Sequence, residues 1–144
     1  MSVIQIENLT RRYGSRRGVE SVSLAVPEGS IFGFLGPNGA GKTTTIRILL
    51  GFLRPSAGAA RVFGLDSWTQ SPRIKADVGY LPGDLRLYSW MNTLDALRIV
   101  GAIRRRDVLA TGLEIADRLG LDTRVRIRAM SKGTRQKVGL VLDR

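Results

Sequence analysis

Apolar and polar positions change rhythm along the chain. From Ser2 to Leu9 the apolar Val3, Ile4, Ile6 and Leu9 are interleaved with polar residues, which predicts a strand. Val19 to Val26 alternates again through Val22, Leu24 and Val26 and predicts a second. Pro27-Glu28-Gly29 reads as a turn, and Ser30 to Leu35 (SIFGFL) is a nearly continuous apolar run. A run of that kind marks a strand buried on both faces, as in a parallel sheet. The two strands flanking the turn are therefore expected to form a hairpin. A glycine-rich loop follows. The rhythm then becomes helical from Lys42 to about Leu50, with Ile46, Leu49 and Leu50 on one side and Gly51 as a stop.

Short strands are expected at Arg61 to Phe63 and Val78 to Leu81. Asn92, with Asp95 three residues on, predicts a capped helix presenting Leu94, Leu97 and Val100. Asp107 is the expected cap of the next helix, whose stripe is Leu109, Leu113, Ala116 and Leu119, ending near Gly120. A last helix is expected from about Ser131 to Leu142. Strands crowd the first third and helices the last, so the fold class expected is α/β, a sheet with helices packed on it.

Composition removes whole classes of chemistry. The 144 residues contain no Cys and no His. A thiolate metal site, a disulfide scaffold, a Cys nucleophile and a Ser-His-Asp triad are excluded within these residues. The usual general base near neutral pH is missing as well. The formal net charge is +11, with 23 basic and 12 acidic side chains. Nucleic acid, an acidic membrane surface and anionic ligands are the partners that such a charge suits. However, the basic residues are scattered, and the tightest groups, Arg104-Arg105-Arg106 and Arg124, Arg126 and Arg128, read as solvated surface. Nucleic-acid binding is not expected. No apolar run approaches the roughly 20 residues of a membrane span. The start, MSVIQIENLT, lacks the layout of a signal peptide, so a cytoplasmic location is expected.

The strongest chemical signal is Gly36-Pro37-Asn38-Gly39-Ala40-Gly41-Lys42-Thr43, a complete G-x-x-x-x-G-K-[ST] match. It lies between a buried-strand pattern and a helical one, where its mechanism requires it. Gly36, Gly39 and Gly41 let the backbone curl round a phosphate with N–H groups inward. The helix starting at Lys42 adds unpaired N–H groups and the positive end of its dipole. Lys42 suits the β- and γ-phosphates of a nucleotide, and the Thr43 hydroxyl suits Mg2+.

The string GPNGAGKTTT, with its flanks, resembles the nucleotide-binding domain of ABC transporters. Three more segments fall in that family's order. Leu9-Thr10-Arg11-Arg12-Tyr13-Gly14 is similar to the loop whose aromatic residue stacks on adenine, here Tyr13. Val78-Gly79-Tyr80-Leu81-Pro82 is similar to the strand entering the glutamine loop, and Met130-Ser131-Lys132-Gly133-Thr134-Arg135-Gln136 to the signature segment. The resemblance covers essentially the whole chain, with a texture closest to bacterial multidrug or antibiotic exporter ATPases. It implies a P-loop NTPase-like fold: an N-terminal β-hairpin subdomain, an incomplete parallel sheet and a helical subdomain. Residues 1–75 would form the nucleotide-binding core, 76–130 a mainly helical part, and 131–144 the signature helix.

The resemblance also implies ATP and Mg2+ as ligands, with Thr44 near the α-phosphate. It implies a second nucleotide-binding domain, to whose ATP Ser131 and Gly133 would contribute in trans. It further implies a separate membrane permease that holds the subunit at the inner face of the membrane and exports a small molecule. Two departures are visible. Gly83 stands where the glutamine is expected, with Asp84 beside it. Lys132 and Thr134 replace a commoner glycine and glutamine. The family's catalytic Glu and switch His have no counterpart, and Asp143, only about ten residues past the signature, is not read as the magnesium aspartate. The chain is therefore expected to be the front portion of a larger domain, with apolar surface exposed on its sheet. The alternative is a non-hydrolysing nucleotide-binding remnant or regulatory module.

Overall fold

The computed structural model describes residues 1–14 and 16–143, with backbone alone for Arg16 and Arg17. The chain divides into two compact units, Met1–Val78 and Gly79–Arg144.

In the first unit, β1 (Ser2–Tyr13), β2 (Arg16–Pro27), β3 (Ala57–Val62) and β4 (Leu65–Asp66) form one sheet in the order β2-β1-β3-β4. Every pairing in it is antiparallel. The alternation of β2 holds along Val22, Leu24 and Val26. That of β1 is reset at Asn8, whose φ of 47° accompanies a register shift between Ile6 and Leu9. This bulge turns both Ile6 and Leu9 into the core. It also drives the Asn8 carbonyl toward β3, where Gly58 (φ +79°) leaves no room for a Cβ. Helix α1 (Lys42–Leu49) lies on the sheet, and Ile48 joins Ile6, Leu9 and Ala60 in the core. The helix buries Thr45 and Ile48, and Leu50 just beyond it, while Ile46, expected on the buried side, is exposed. Gly51 takes φ +65° at the stop.

Three expectations are corrected. Ser30 to Leu35 is no strand and is not buried: Ile31 and Leu35 are fully exposed and no described strand pairs with it. Its apolar run asks for partner strands on both edges, and among the described residues none is supplied. The turn at Pro27-Glu28-Gly29 exists, with Gly29 at φ +68°, but it leads the chain out of the sheet. The hairpin is made by β1 and β2 instead. Val78 to Leu81 is likewise not a strand. The short helix α2 (Ser71–Asp77) was hidden from the sequence pattern because it buries one apolar residue only, Ile74.

Asp66 closes the turn between β4 and α2. Its Oδ1 accepts from the Thr69 N–H at 2.8 Å, the Thr69 hydroxyl at 2.8 Å and the Trp68 N–H at 3.1 Å. The Thr69 bonds, aided by Trp68 and the charge of Arg61 and opposed by partial burial, hold this carboxyl below its ordinary value. A lowered native pKa contributes stability that is complete above the unfolded value and lost as pH falls through the folded one. Asp66→Ala is expected to cost about 1 kcal/mol near neutral pH, a difference that shrinks in acid. Urea unfolding of both proteins at pH 7 and at pH 3 checks this.

The second unit packs α3 (Thr93–Arg104), α4 (Leu109–Arg118) and α5 (Lys132–Leu142) with a 3-10 turn at Ile127–Ala129. Its core joins Leu97, Ala116, Val138 and Val141 to Met91, Leu121, Ile127 and Met130. The capping box at Asn92 and Asp95 forms as expected, with the Asp95 N–H donating to Asn92 Oδ1 at 2.9 Å. Asp107, expected as the cap of α4, lies one residue before it: Val108 is the N-cap and no side chain caps the helix, while Asp107 Oδ1 accepts from the Leu109 N–H at 3.0 Å. Of the stripe expected on α4, Ala116 is buried and Leu109 and Leu119 pack against the core, but Leu113 is 38% exposed, with Gly112 buried and Ile115 partly buried beside it. Gly112 lies so close to the Leu97 side chain that a Cβ there would overlap it. The absence of a side chain at 112 sets the contact, which an apolar count cannot see.

Candidate functional site

The phosphate loop runs from the exposed segment at 30–35 into α1. Its backbone takes the left-handed conformation at Gly39 (φ +84°) and Gly41 (φ +87°). A Cβ at Gly41 would stand 2.5 Å from the Gly18 carbonyl oxygen and 2.5 Å from Val19 Cγ2, so the loop rests directly on β2. Gly41 is the N-cap of α1, and no side chain caps that helix. The Thr45 N–H returns to the Gly41 carbonyl at 2.8 Å, which starts the helical ladder. The N–H groups of Lys42, Thr43 and Thr44 precede that ladder and have no acceptor among the described residues. The first turn carries no acidic residue. Unpaired donors, the positive helix end and a lysine thus converge without an opposing charge.

Lys42 Nζ donates to the carbonyl oxygens of Gly36 and of Pro37, the latter at 2.7 Å. An ammonium has three donors, so one remains for a ligand. The Ala40 N–H donates to the Pro37 carbonyl at 3.2 Å and tightens the loop. A cleft of about 280 Å3 opens over this region, lined by Tyr13, Gly18, Asn38, Gly39, Gly41, Lys42, Thr43 and Thr44. Of the residues expected from sequence, Gly36, Pro37 and Ala40 shape the loop but do not line the cleft. Gly18 was missed. Its signal is tertiary, since a Cβ at 18 would press on the Tyr13 ring and the Arg11 carbonyl.

Ser131 and Gly133 belong to the second unit. Ser131 caps α5, its Oγ accepting from the Thr134 N–H at 3.1 Å. Both residues are exposed. Gly133 sits in the first turn of α5, where glycine costs up to about 1 kcal/mol relative to alanine. A Cβ there would meet nothing nearer than Ser131 Oγ at 3.9 Å. Packing within this unit therefore does not require a glycine at 133. Gly83 is also open, and Gln136 Nε2 donates to its carbonyl at 3.1 Å. Asp84 is paired with Arg86 at 3.3 Å, both side chains largely exposed. Asp143 ends α5, and its Oδ1 accepts from the Tyr80 N–H at 3.3 Å.

A sheet-backed glycine loop feeding the open N-terminus of a helix, with a lysine at its first position, defines a P-loop nucleotide-binding domain. Solved structures agree on the fold. An ATP-binding cassette of an ABC transporter in its ADP conformation matches with a TM-score of 0.84, at 20% identity, over 99% of this chain and 64% of that one. The ATP-binding subunit of an ABC transporter matches with a TM-score of 0.77 at 24% identity, over 99% of this chain and 61% of that one. The profile of the ABC transporter family matches residues 19–142, and the chain belongs to that family. It is 35% identical over 143 residues to the bacitracin transport ATP-binding protein BcrA of Bacillus licheniformis, covering 96% of this chain and 46% of the relative. It is 36% identical over 102 residues to the probable multidrug ABC transporter ATP-binding protein YbhF of Escherichia coli K12, covering 71% of this chain and 18% of the relative. The chain spans about half the length of the first of these relatives. No described helix is long and apolar enough to cross a membrane.

Proposed function

We propose that this chain is part of the ATP-binding subunit of an ABC exporter, binding Mg-ATP to drive a small molecule through a separate membrane permease. The observation that carries the reading is the convergence of Lys42 with the unpaired N–H groups of residues 42–44 on one open cleft. Such a cluster of donors suits a polyphosphate and little else. Lys42 holds the β- and γ-phosphates, the N–H groups of Gly39, Gly41, Lys42 and Thr43 neutralise their oxygens, and Thr44 serves the α-phosphate. Tyr13, on the rim of the same cleft, stacks on the adenine. Mg2+ fits this donor set: it keeps several waters and uses few protein ligands beside phosphate oxygens, and the exposed Thr43 hydroxyl supplies one hard oxygen. The ion, when bound, screens the phosphate charge.

Ser131 and Gly133 serve the ATP held by a second nucleotide-binding domain. The exposed, capped start of α5 and the unneeded glycine at 133 support that assignment. The subunit then works at the cytoplasmic face, held there by the permease. Phosphoryl transfer in P-loop proteins relies on positioning a water and stabilising charge. Gly83 offers no side chain for that purpose, and the 144 residues contain no histidine. These 144 residues, taken alone, are therefore expected to bind without turnover. Calorimetric titration with Mg-ATP should show saturable binding, and phosphate release should stay at background. Absence of binding overturns the site; release that depends on Lys42 overturns the expectation of no turnover.

A further inference from the structure

Arg11 plays no part in the phosphate chemistry, yet it sits directly behind the cleft. It lies two residues before Tyr13 on β1, and side chains at that spacing share a strand face. Its Nη1 donates to the Arg54 carbonyl at 2.9 Å, across to the segment that follows α1. Its guanidinium carbon stands over the Tyr13 ring, 5.1 Å from the centroid. Its Nε is buried and has no acceptor among the described residues. A guanidinium held in this way keeps its place through two contacts, the Arg54 carbonyl and the ring. Gly18 also approaches the Tyr13 ring, so closely that a Cβ would lie 2.7 Å from Cε2. The Gly18 carbonyl in turn bears on Gly41 of the phosphate loop.

We propose that Arg11 is a positioning residue for the nucleotide base. Anchored on the Arg54 carbonyl, it backs one face of the Tyr13 ring, and the close approach of Gly18 sets the ring's height above the phosphate loop. The other face is left for the base. Tyr13 is 42% exposed, so without a backing its ring would sample several rotamers, and stacking on it would cost the entropy of choosing one. A cation behind the ring removes that cost and draws ring density away from the stacking face. This inference rests on the cleft being a nucleotide site, and the test separates the two.

The test compares Mg-ATP with Mg-tripolyphosphate, which has no base, by calorimetry on the 144-residue chain. Arg11→Met is expected to raise the ATP dissociation constant about threefold and to leave tripolyphosphate unchanged. Arg11→Lys, which keeps a cation over the ring, retains most of the ATP affinity. Arg11→Gln, which keeps a donor for the Arg54 carbonyl but no charge, behaves like Arg11→Met and guards against a loss that is merely structural. Tyr13→Ala costs about tenfold for ATP alone, and adding Arg11→Met to it costs nothing more. Equal losses for both ligands, no loss, or full additivity with Tyr13→Ala overturns the positioning role. Failure of tripolyphosphate binding to respond to Lys42→Ala overturns the nucleotide site itself.

Discussion

Lys42→Ala weakens Mg-ATP binding to this chain on the order of 100-fold while shifting the thermal midpoint by no more than about 2 °C. The two halves of this expectation have separate causes. The lysine is the one cation among the described residues that line the cleft, and losing its single free charge-assisted hydrogen bond to phosphate, worth up to about 3 kcal/mol, accounts for the affinity. Its contacts within the chain are two carbonyl oxygens of an exposed loop, Gly36 and Pro37. Both carbonyls regain water when the ammonium leaves, so little folding energy is lost. Titration calorimetry and a thermal melt on the same preparation check both halves. Binding within threefold of the parent would refute the phosphate-loop assignment.

Leu97→Ala is expected to destabilise the second unit by about 3 kcal/mol, and Leu113→Ala by less than about 1 kcal/mol. Leu97 is buried, packs among Met91, Ala116, Val138 and their neighbours, and lies against the bare backbone of Gly112. Truncation leaves a cavity that glycine cannot fill. Leu113 is already partly hydrated. Urea unfolding followed by circular dichroism measures both. Equal costs for the two variants would mean that the stripe on α4 runs through Leu113, as the spacing alone suggests.

Local chemistry was readable wherever a few adjacent residues decide the outcome. The capping box at Asn92 and Asp95, the serine cap at Ser131 and the glycine stop at Gly51 depend on neighbours within four positions. The phosphate loop is local too, since its glycines, lysine and helix start lie within eight residues. The failures share one cause. Ser30 to Leu35 has the composition of a buried strand, but burial needs partners that composition does not supply. Ile46 and Leu113 are spaced like core residues, but which arc of a helix is covered depends on what lies against it. Gly18 and Arg11 lie far from the loop in sequence and reach it only through the pairing of β1 with β2.

The sequence by itself determined the class of protein and the glycine-rich loop at residues 36–43 that opens α1, because glycine conformation, helix-end donors and a lysine are short-range properties. Only the tertiary structure decided that the sheet of the first unit is antiparallel throughout its described strands, that Gly112 rather than Leu113 faces Leu97, and that Tyr13 stands at the same cleft as Lys42. Those outcomes depend on close approach between segments many residues apart. Such approach is governed by excluded volume, at Gly18, Gly41, Gly58 and Gly112, and residue order along one strand or helix does not encode it.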